Sequence, residues 1–365
     1  MRIHNQKKYV SCFDEDTGQY CRIGKKENGF LTMKDPFMAD FPELLDIGIM
    51  GHCEHGKSCL CLRAGVECYQ NGALRDDPNM SLTDFRNLID QCKGKTYQVA
   101  LGGCGDPDQH EHFGEILQYC RENGIVPNFT TSGYGMTEEK AALCREYCGA
   151  VAVSWYRGTY TWRTIFMLRQ QGVKTNIHFV LSQFSLHEAL LRLKGQWNQD
   201  EKGFPEGINA VIFLLHKPVG FGTKRRVLTR DNDELQEFLE LVDNGQFPFK
   251  VGFDSCTVPA LMGLPHTVYE SLDACEAARW SAYISHDLKM MPCSFCWEKE
   301  GSAVDLTRYS IQEAWDSPIF EAVRKRLREA CPGCGYREYC MGGCPIIPEI
   351  VLCSKKRGGE HEVQN

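Results

Sequence analysis

The sequence has no run of eighteen apolar residues, so no stretch of it reads as a membrane-spanning helix. It also lacks a charged start followed by an apolar signal segment, because Met1 to Tyr9 are polar and basic. A surplus of positive charge is missing too. The formal net charge is −7 at pH 7, which argues against a nucleic-acid partner, since such proteins carry a basic face that releases counterions from phosphate. What the chain does have is cysteine, 20 in 365 residues. Without an export signal these thiols are expected to be ligands in the cytoplasm rather than disulfides. The expectation is a cytoplasmic protein with no membrane and no nucleic-acid partner, long enough for one large α/β domain plus a smaller module, with a small or peptide substrate.

The densest group lies in Cys53-Glu-His-Gly-Lys-Ser-Cys59-Leu-Cys61-Leu-Arg-Ala-Gly-Val-Glu-Cys68, four cysteines in sixteen residues. It follows an apolar run, Leu44 to Met50, that reads as a buried strand ending in a loop. Thiolates this close favour soft metals, either zinc or an iron–sulfur cluster. The loop lacks the paired Cys-x2-Cys knuckles of a zinc ribbon. Three thiolates on one loop, with a fourth iron left open, suit a catalytic four-iron cluster.

From Leu44 onward, short apolar runs alternate with amphipathic stretches. Periodicity predicts strands at 44–50, 97–101, 125–130, 150–154, 174–181 and 209–215, and helices near 81–93, 113–120, 137–147, 161–171, 185–197 and 231–243. Six strand-then-helix units imply a parallel sheet with right-handed crossovers, either open or partly closed into a barrel. Before them, residues 1–43 form a prelude in which Cys12 and Cys21 flank the turn-rich Asp14-Glu-Asp-Thr-Gly18, predicting a small hairpin. These two cysteines read as buried hydrophobes without function.

The unusual residues cluster at strand ends. They include Gly102-Gly103-Cys104-Gly105-Asp106, Thr130-Thr131-Ser132-Gly133, Ser154-Trp155-Tyr156-Arg157, Ser182, and His216-Lys-Pro-Val-Gly220. Glycines there permit close backbone approach, whereas Ser and Thr also commonly cap a neighbouring helix. His178, within a strand, reads as a core residue. A further strand is predicted near Phe249 to Asp254, and after Cys256 the composition changes. Cys331, Cys334, Cys340 and Cys344 follow with two, five and three residues between them, and then comes Cys353. Alone, the knuckle Cys331-Pro-Gly-Cys334 also fits a zinc ribbon.

The cysteine loop with Tyr69 after its last cysteine, the glycine-rich end of the second strand and the C-terminal cysteine spacing together resemble the radical S-adenosylmethionine (radical SAM) enzymes. The C-terminal part resembles their SPASM auxiliary-cluster module. The resemblance spans roughly residues 44–353 and implies a partial (β/α)6 barrel at 44–250, a SPASM domain at 251–353 and a flexible tail at 354–365, with chemistry at the C-terminal ends of the strands. It implies three [4Fe-4S] clusters. Cys53, Cys61 and Cys68 would hold the first, although the loop departs from the family's spacing and Cys59 rivals Cys61. Cys256, Cys275, Cys293 and Cys344 would hold a first auxiliary cluster, and Cys331, Cys334, Cys340 and Cys353 a second, leaving Cys296 over.

For S-adenosylmethionine itself, the resemblance points to Tyr69, Gly102, Gly103, Gly105, Asp106, Thr131, Ser154, Ser182 and His216. Cys104 and Asp106 depart from the family's usual Gly-Gly-Glu wording, and Leu288 stands where the auxiliary module has glycine. The implied chemistry is reductive cleavage of S-adenosylmethionine to a 5′-deoxyadenosyl radical that takes hydrogen from an unactivated carbon, with the cofactor carrying the difficult step. Enzymes of this architecture modify peptides, so a precursor peptide is the expected substrate and crosslinking the expected outcome. No room for a leader-binding domain is expected in the prelude, which leaves that role to a separate protein or to the barrel itself. An electron donor such as flavodoxin or ferredoxin is also implied. Single-residue oxidation, as in anaerobic sulfatase-maturating enzymes, is weakened by Ser294, where those enzymes place Asp. A non-catalytic cysteine-rich metal or redox-sensing protein is the reading from another class.

Overall fold

The computed structural model describes residues 1–26, 28–32 and 36–353. The tail expected at 354–365 lies outside the described residues. The chain opens with β1 (Arg2–Asn5), β2 (Tyr9–Phe13) and β3 (Tyr20–Gly24), an antiparallel meander one strand larger than the expected hairpin. Then come β4 (Leu44–Met50), β5 (Gln98–Gly103), β6 (Val126–Thr131), β7 (Val151–Ser154), β8 (Thr175–Leu181), β9 (Ala210–Leu215) and β10 (Lys250–Phe253). Three further strands, β11 (Ser281–Ile284), β12 (Lys289–Met291) and β13 (Val304–Asp305), complete one ten-stranded sheet. Its order is β10-β9-β8-β7-β6-β5-β4-β11-β12-β13. All pairings from β10 to β11 are parallel, and β12 and β13 add antiparallel.

Two single-turn helices, α1 (Glu54–Lys57) and α2 (Leu60–Arg63), shape the cysteine loop. The crossovers are α3 (Leu82–Cys92), α4 (Phe113–Glu122), α5 (Glu138–Tyr147), α6 (Thr159–Gln170), α7 (Leu186–Leu193) and α8 (Asp233–Asn244). Three of their starts carry side-chain caps. Ser81, Thr137 and Asn232 accept from backbone N–H groups of the first turns of α3, α5 and α8, satisfying donors that the helix leaves unpaired. The apolar stripes face the sheet: Phe113, Ile116, Leu117 and Cys120 of α4 are buried, as are Leu235, Phe238 and Leu239 of α8.

The division expected after residue 250 is bridged by the sheet, because β11 pairs directly with β4. Nor does the core break there. One continuous apolar cluster runs from Leu45 and Val153 to Trp280, Trp315 and Leu327. The later segment adds α9 (Val258–Leu261), α10 (Ile311–Trp315), α11 (Pro318–Glu329) and α12 (Arg337–Cys340). The buried Arg324 of α11 donates to the Ala278 carbonyl at 2.6 Å and lies 4.6 Å over Trp315.

The meander closes the N-terminal ends of the central strands. Tyr9 donates to Glu43 at 2.8 Å, Tyr97 donates to the Ser11 carbonyl at 3.0 Å, and His4 stacks on Tyr97 at 4.0 Å. Among the described residues no helix is long and apolar enough to cross a membrane.

Candidate functional site

Along β8 the residues facing the helices, Ile177, Phe179 and Leu181, are fully buried, while Asn176, His178 and Val180 point to the other face. The same alternation in β4 to β9 brings Asp46, Ala100, Gly102, Thr130, Ser154, His178 and Leu214 around one cavity of about 530 Å³. Residues from six neighbouring strands can share a cavity only if the sheet curls around it, as the partial barrel requires. The loops at the C-terminal strand ends form its rim.

The cysteine loop is one wall of that cavity, to which Cys53, Cys61 and Cys68 all contribute. Cys53 caps α1 with its Sγ accepting from Gly56 N at 3.0 Å. Cys61, on α2, is buried, whereas Cys59 is exposed, adopts φ +57 and turns its thiol to the Lys57 carbonyl. Burial first, and then the nearby charges of Asp106, Cys68 and Cys104, push the Cys53 thiol up to about 12. The Cys61 thiol is raised by burial and by Cys68.

The loop is held where it ends. Glu67 accepts from Thr223 N at 2.7 Å and from Arg226 Nε at 2.8 Å, and these contacts outweigh burial to keep its carboxyl below the ordinary range. Phe221 N donates to the Cys68 carbonyl at 3.0 Å, so the segment after β9 lies along the last cysteine of the loop. On the other side Trp297 donates to the Tyr69 carbonyl at 2.9 Å, and Phe295 packs on the Tyr69 ring at 4.8 Å.

Of the residues expected near S-adenosylmethionine, Tyr69, Gly102, Gly103, Gly105, Asp106, Ser154, Ser182 and His216 line the cavity. Asp106 accepts from Ser132 N at 2.8 Å and from its hydroxyl, tying the end of β5 to that of β6; burial and the neighbouring Asp108 raise its carboxyl. Ser182 spends its hydroxyl on Ser185 and on Phe184 N, at the start of α7. His216 Nε2 lies 3.1 Å from the Thr223 carbonyl. Thr131 is not brought to the cavity: it is fully buried, and its Oγ1 accepts from Gly133 N. The two-residue period of the strand puts Thr130 there instead.

His178, read as core, lines the cavity with Nδ1 3.2 Å from the Thr130 hydroxyl, and burial lowers it to about 4, so the ring is neutral at pH 7. Strand phase would have found both residues, since Ser154 and His178 are register partners. Lys217 and Asp254, paired with each other, were not foreseen and line the cavity beside Phe295. Lys217 is held above its ordinary range because Asp254 outweighs the effect of burial. Glu188 binds Arg157 at 2.7 Å, Arg192 at 2.7 Å and Trp155 at 3.0 Å, fixing the end of β7, where Arg157 takes φ +62.

The C-terminal cysteines form two groups off the cavity. Cys256, Cys275, Cys293 and Cys344 interact with one another; a Cys256–Cys344 hydrogen bond followed by burial raises the Cys256 thiol, and the same hydrogen bond lowers that of Cys344 against the effect of burial. Cys340, raised first by burial, also feels Cys331, Cys334 and Cys353. Cys296 is buried one turn beyond Cys293, its N–H donating to the Cys293 carbonyl. Leu288 adopts φ +61, the backbone conformation that favours glycine. All 20 cysteines are free thiols. Among the described residues no three His, Cys, Asp or Glu side chains close tightly enough for one metal ion. Within each group the thiols are near enough to perturb one another.

No protein-family model matches the sequence, and no curated protein matches it. Solved structures do. Streptococcus suis SuiB bound to S-adenosylmethionine is 17% identical, with a TM-score of 0.65 over 87% of this chain and 77% of that one. SuiB bound to its precursor peptide SuiA is 16% identical at 0.63, over 87% and 76%. The protein anSMEcpe with bound AdoMet and the Cp18Cys peptide is 15% identical at 0.56, over 83% and 89%. At these identities the likeness is one of fold. The shared fold is the α/β architecture with a large parallel sheet that the radical SAM resemblance implies; the cysteine-rich C-terminal region of this chain is consistent with the SPASM-like part of that resemblance.

Proposed function

We propose that this chain is a radical SAM enzyme that modifies a peptide. The observation carrying the proposal is that Cys53, Cys61 and Cys68, three thiols of one loop, open on the same 530 Å³ cavity that receives the polar inner residues of six strands. A soft, three-thiol donor set beside a large cavity fits a four-iron cluster with one open coordination position. The glycine-rich turn at Gly102 and Gly103, which also lines the cavity, suits backbone contact with S-adenosylmethionine.

When bound, that pair supplies a 5′-deoxyadenosyl radical able to take hydrogen from an unactivated carbon. The protein's part is to bind, orient and exclude water. Tyr69, braced by Phe295 and Trp297, forms one wall, and the Glu67–Thr223–Arg226 contacts hold the segment after β9 against the cysteine loop. Neutral His178 and Ser154 offer hydrogen bonds from the floor without adding charge. Cys256, Cys275, Cys293 and Cys344, and Cys331, Cys334, Cys340 and Cys353, would hold two auxiliary clusters, three [4Fe-4S] clusters in all.

The substrate class is a precursor peptide, the outcome a crosslink, and the electron donor a flavodoxin or ferredoxin, with a separate protein holding the leader. The fold shared with SuiB bound to SuiA supports this reading. A second reading, single-residue oxidation, has one observation in its favour: the Asp254 carboxylate lines the cavity beside Ser294.

The test is anaerobic reconstitution, strong reduction and addition of S-adenosylmethionine, with and without peptides encoded beside the gene. Formation of 5′-deoxyadenosine, with loss of two hydrogens from a peptide and no new carbonyl, is expected. A new carbonyl would favour the second reading, and no 5′-deoxyadenosine at all would reject both.

A further inference from the structure

The Gly102-Gly103-Cys104-Gly105 turn is packed against the segment that leads into the cysteine loop. Cys104 N donates to the Met50 carbonyl at 2.9 Å. A side chain on Gly103, which has φ +115, would meet the Met50 carbonyl oxygen at 2.6 Å, and one on Gly105 would meet the His52 oxygen at 2.3 Å and the Cys53 Cα at 3.1 Å. From across the site, a Cβ on Gly72 would lie 3.1 Å from the Cys53 Cβ and 3.7 Å from the Cys104 Sγ. Three glycines thus let three backbones converge and seat the Cys104 thiol next to Cys53.

The thiol is buried and donates a long hydrogen bond, 3.8 Å, to the Gln70 carbonyl. It lines the cavity together with Cys53, Cys61 and Cys68, and Cys68 interacts with each of the other three. A structural cysteine would be packed in the apolar core, as Cys92, Cys120 and Cys144 are and Cys104 is not. Cys104 faces the site.

On the reading that this loop holds a four-iron cluster, we infer that Cys104 is a fourth thiolate, which caps the cluster until S-adenosylmethionine displaces it. Displacement breaks the iron–Cys104 bond and forms bonds from that iron to the amino and carboxylate groups of S-adenosylmethionine. The released thiolate takes a proton from solvent, and no electron is transferred. Capping keeps the site coordinatively closed until its cofactor arrives. It also makes the cofactor compete for its place, which lowers apparent affinity by the fraction of uncapped sites.

The full chain is reconstituted anaerobically as wild type, Cys104→Ala, Cys104→Ser and Cys68→Ala, then oxidised mildly without S-adenosylmethionine. A cluster held by three thiolates sheds its fourth iron and becomes a paramagnetic three-iron form, whereas clusters with four thiolates resist. The wild type is expected to give little of this signal, Cys104→Ala about one spin per chain, and Cys104→Ser an intermediate amount, serine being a poorer iron ligand. The dissociation constant for S-adenosylmethionine should fall about tenfold in Cys104→Ala.

Equal signals and equal affinities in wild type and Cys104→Ala would overturn the capping role, as would weaker cofactor binding by Cys104→Ala. The Cys68→Ala protein separates the two levels. If it holds as much iron as the wild type, the four-iron reading itself fails; if it has lost iron while Cys104→Ala is spectroscopically unchanged, only capping fails.

Discussion

The four thiols near Cys53 and the eight grouped thiols from Cys256 onward are similarly buried but differ in what they face. Cys53, Cys61, Cys68 and Cys104 line a cavity large enough for a cofactor and part of a substrate. The eight C-terminal thiols face one another and their own chain, with Lys217, Asp254 and Phe295 between one set and the cavity. On the proposed reading the same donor chemistry would have two uses: where the donors open on space a metal could bind a ligand, and where they are enclosed it could only carry electrons or brace the fold.

The most direct way to break this contrast is Cys68→Ala, which should abolish 5′-deoxyadenosine formation and remove about four irons per chain. Iron assay and product chromatography check it, and normal cleavage by this variant would erase the distinction. Cys334→Ala should also remove about four irons. Cleavage without peptide should persist, however, while peptide product is lost; loss of cleavage would mean that the enclosed thiols serve the same step as the open ones.

A third change sharpens the contrast from the cavity wall. Glu188 is buried between Arg157, Arg192 and Trp155, so Glu188→Gln should cost about 3 kcal/mol in chemical denaturation by leaving two guanidinium groups underpaired, without changing iron content. The smallest effect is expected from Cys59→Ala. Exposed and turned away from the cavity, Cys59 should change stability by no more than about 0.5 kcal/mol and leave cleavage intact. A large loss there would return Cys59 to the ligand set in place of Cys61.

Much of this arrangement was legible in the sequence, because strands and helices announce themselves by period. Leu44–Met50 was read to the residue, and the other central strands to within one or two positions. The three cysteine groupings came from spacing and from the family resemblance. What spacing could not supply was direction. Thr131 was chosen over Thr130 because the phase of β6 was not followed, and His178 was assigned to the core although its strand alternates apolar residues with Asn176 and His178. The short strands β11 to β13 were missed because two to four residues are too few to show a period, and their pairing with β4 comes from the tertiary fold. Cys104 was seen only as a departure from a motif. Its nearness to Cys53 depends on Gly103 and Gly105 in its own turn and on the sequence-distant Gly72, which meets them only in the folded chain.

The central claim is that the open thiols hold a four-iron cluster and the enclosed ones two more. Its most direct test is the iron, sulfide and zinc content of the full chain after anaerobic purification and reconstitution. The account predicts about twelve irons with matching sulfide and no zinc. Zinc without iron would contradict it.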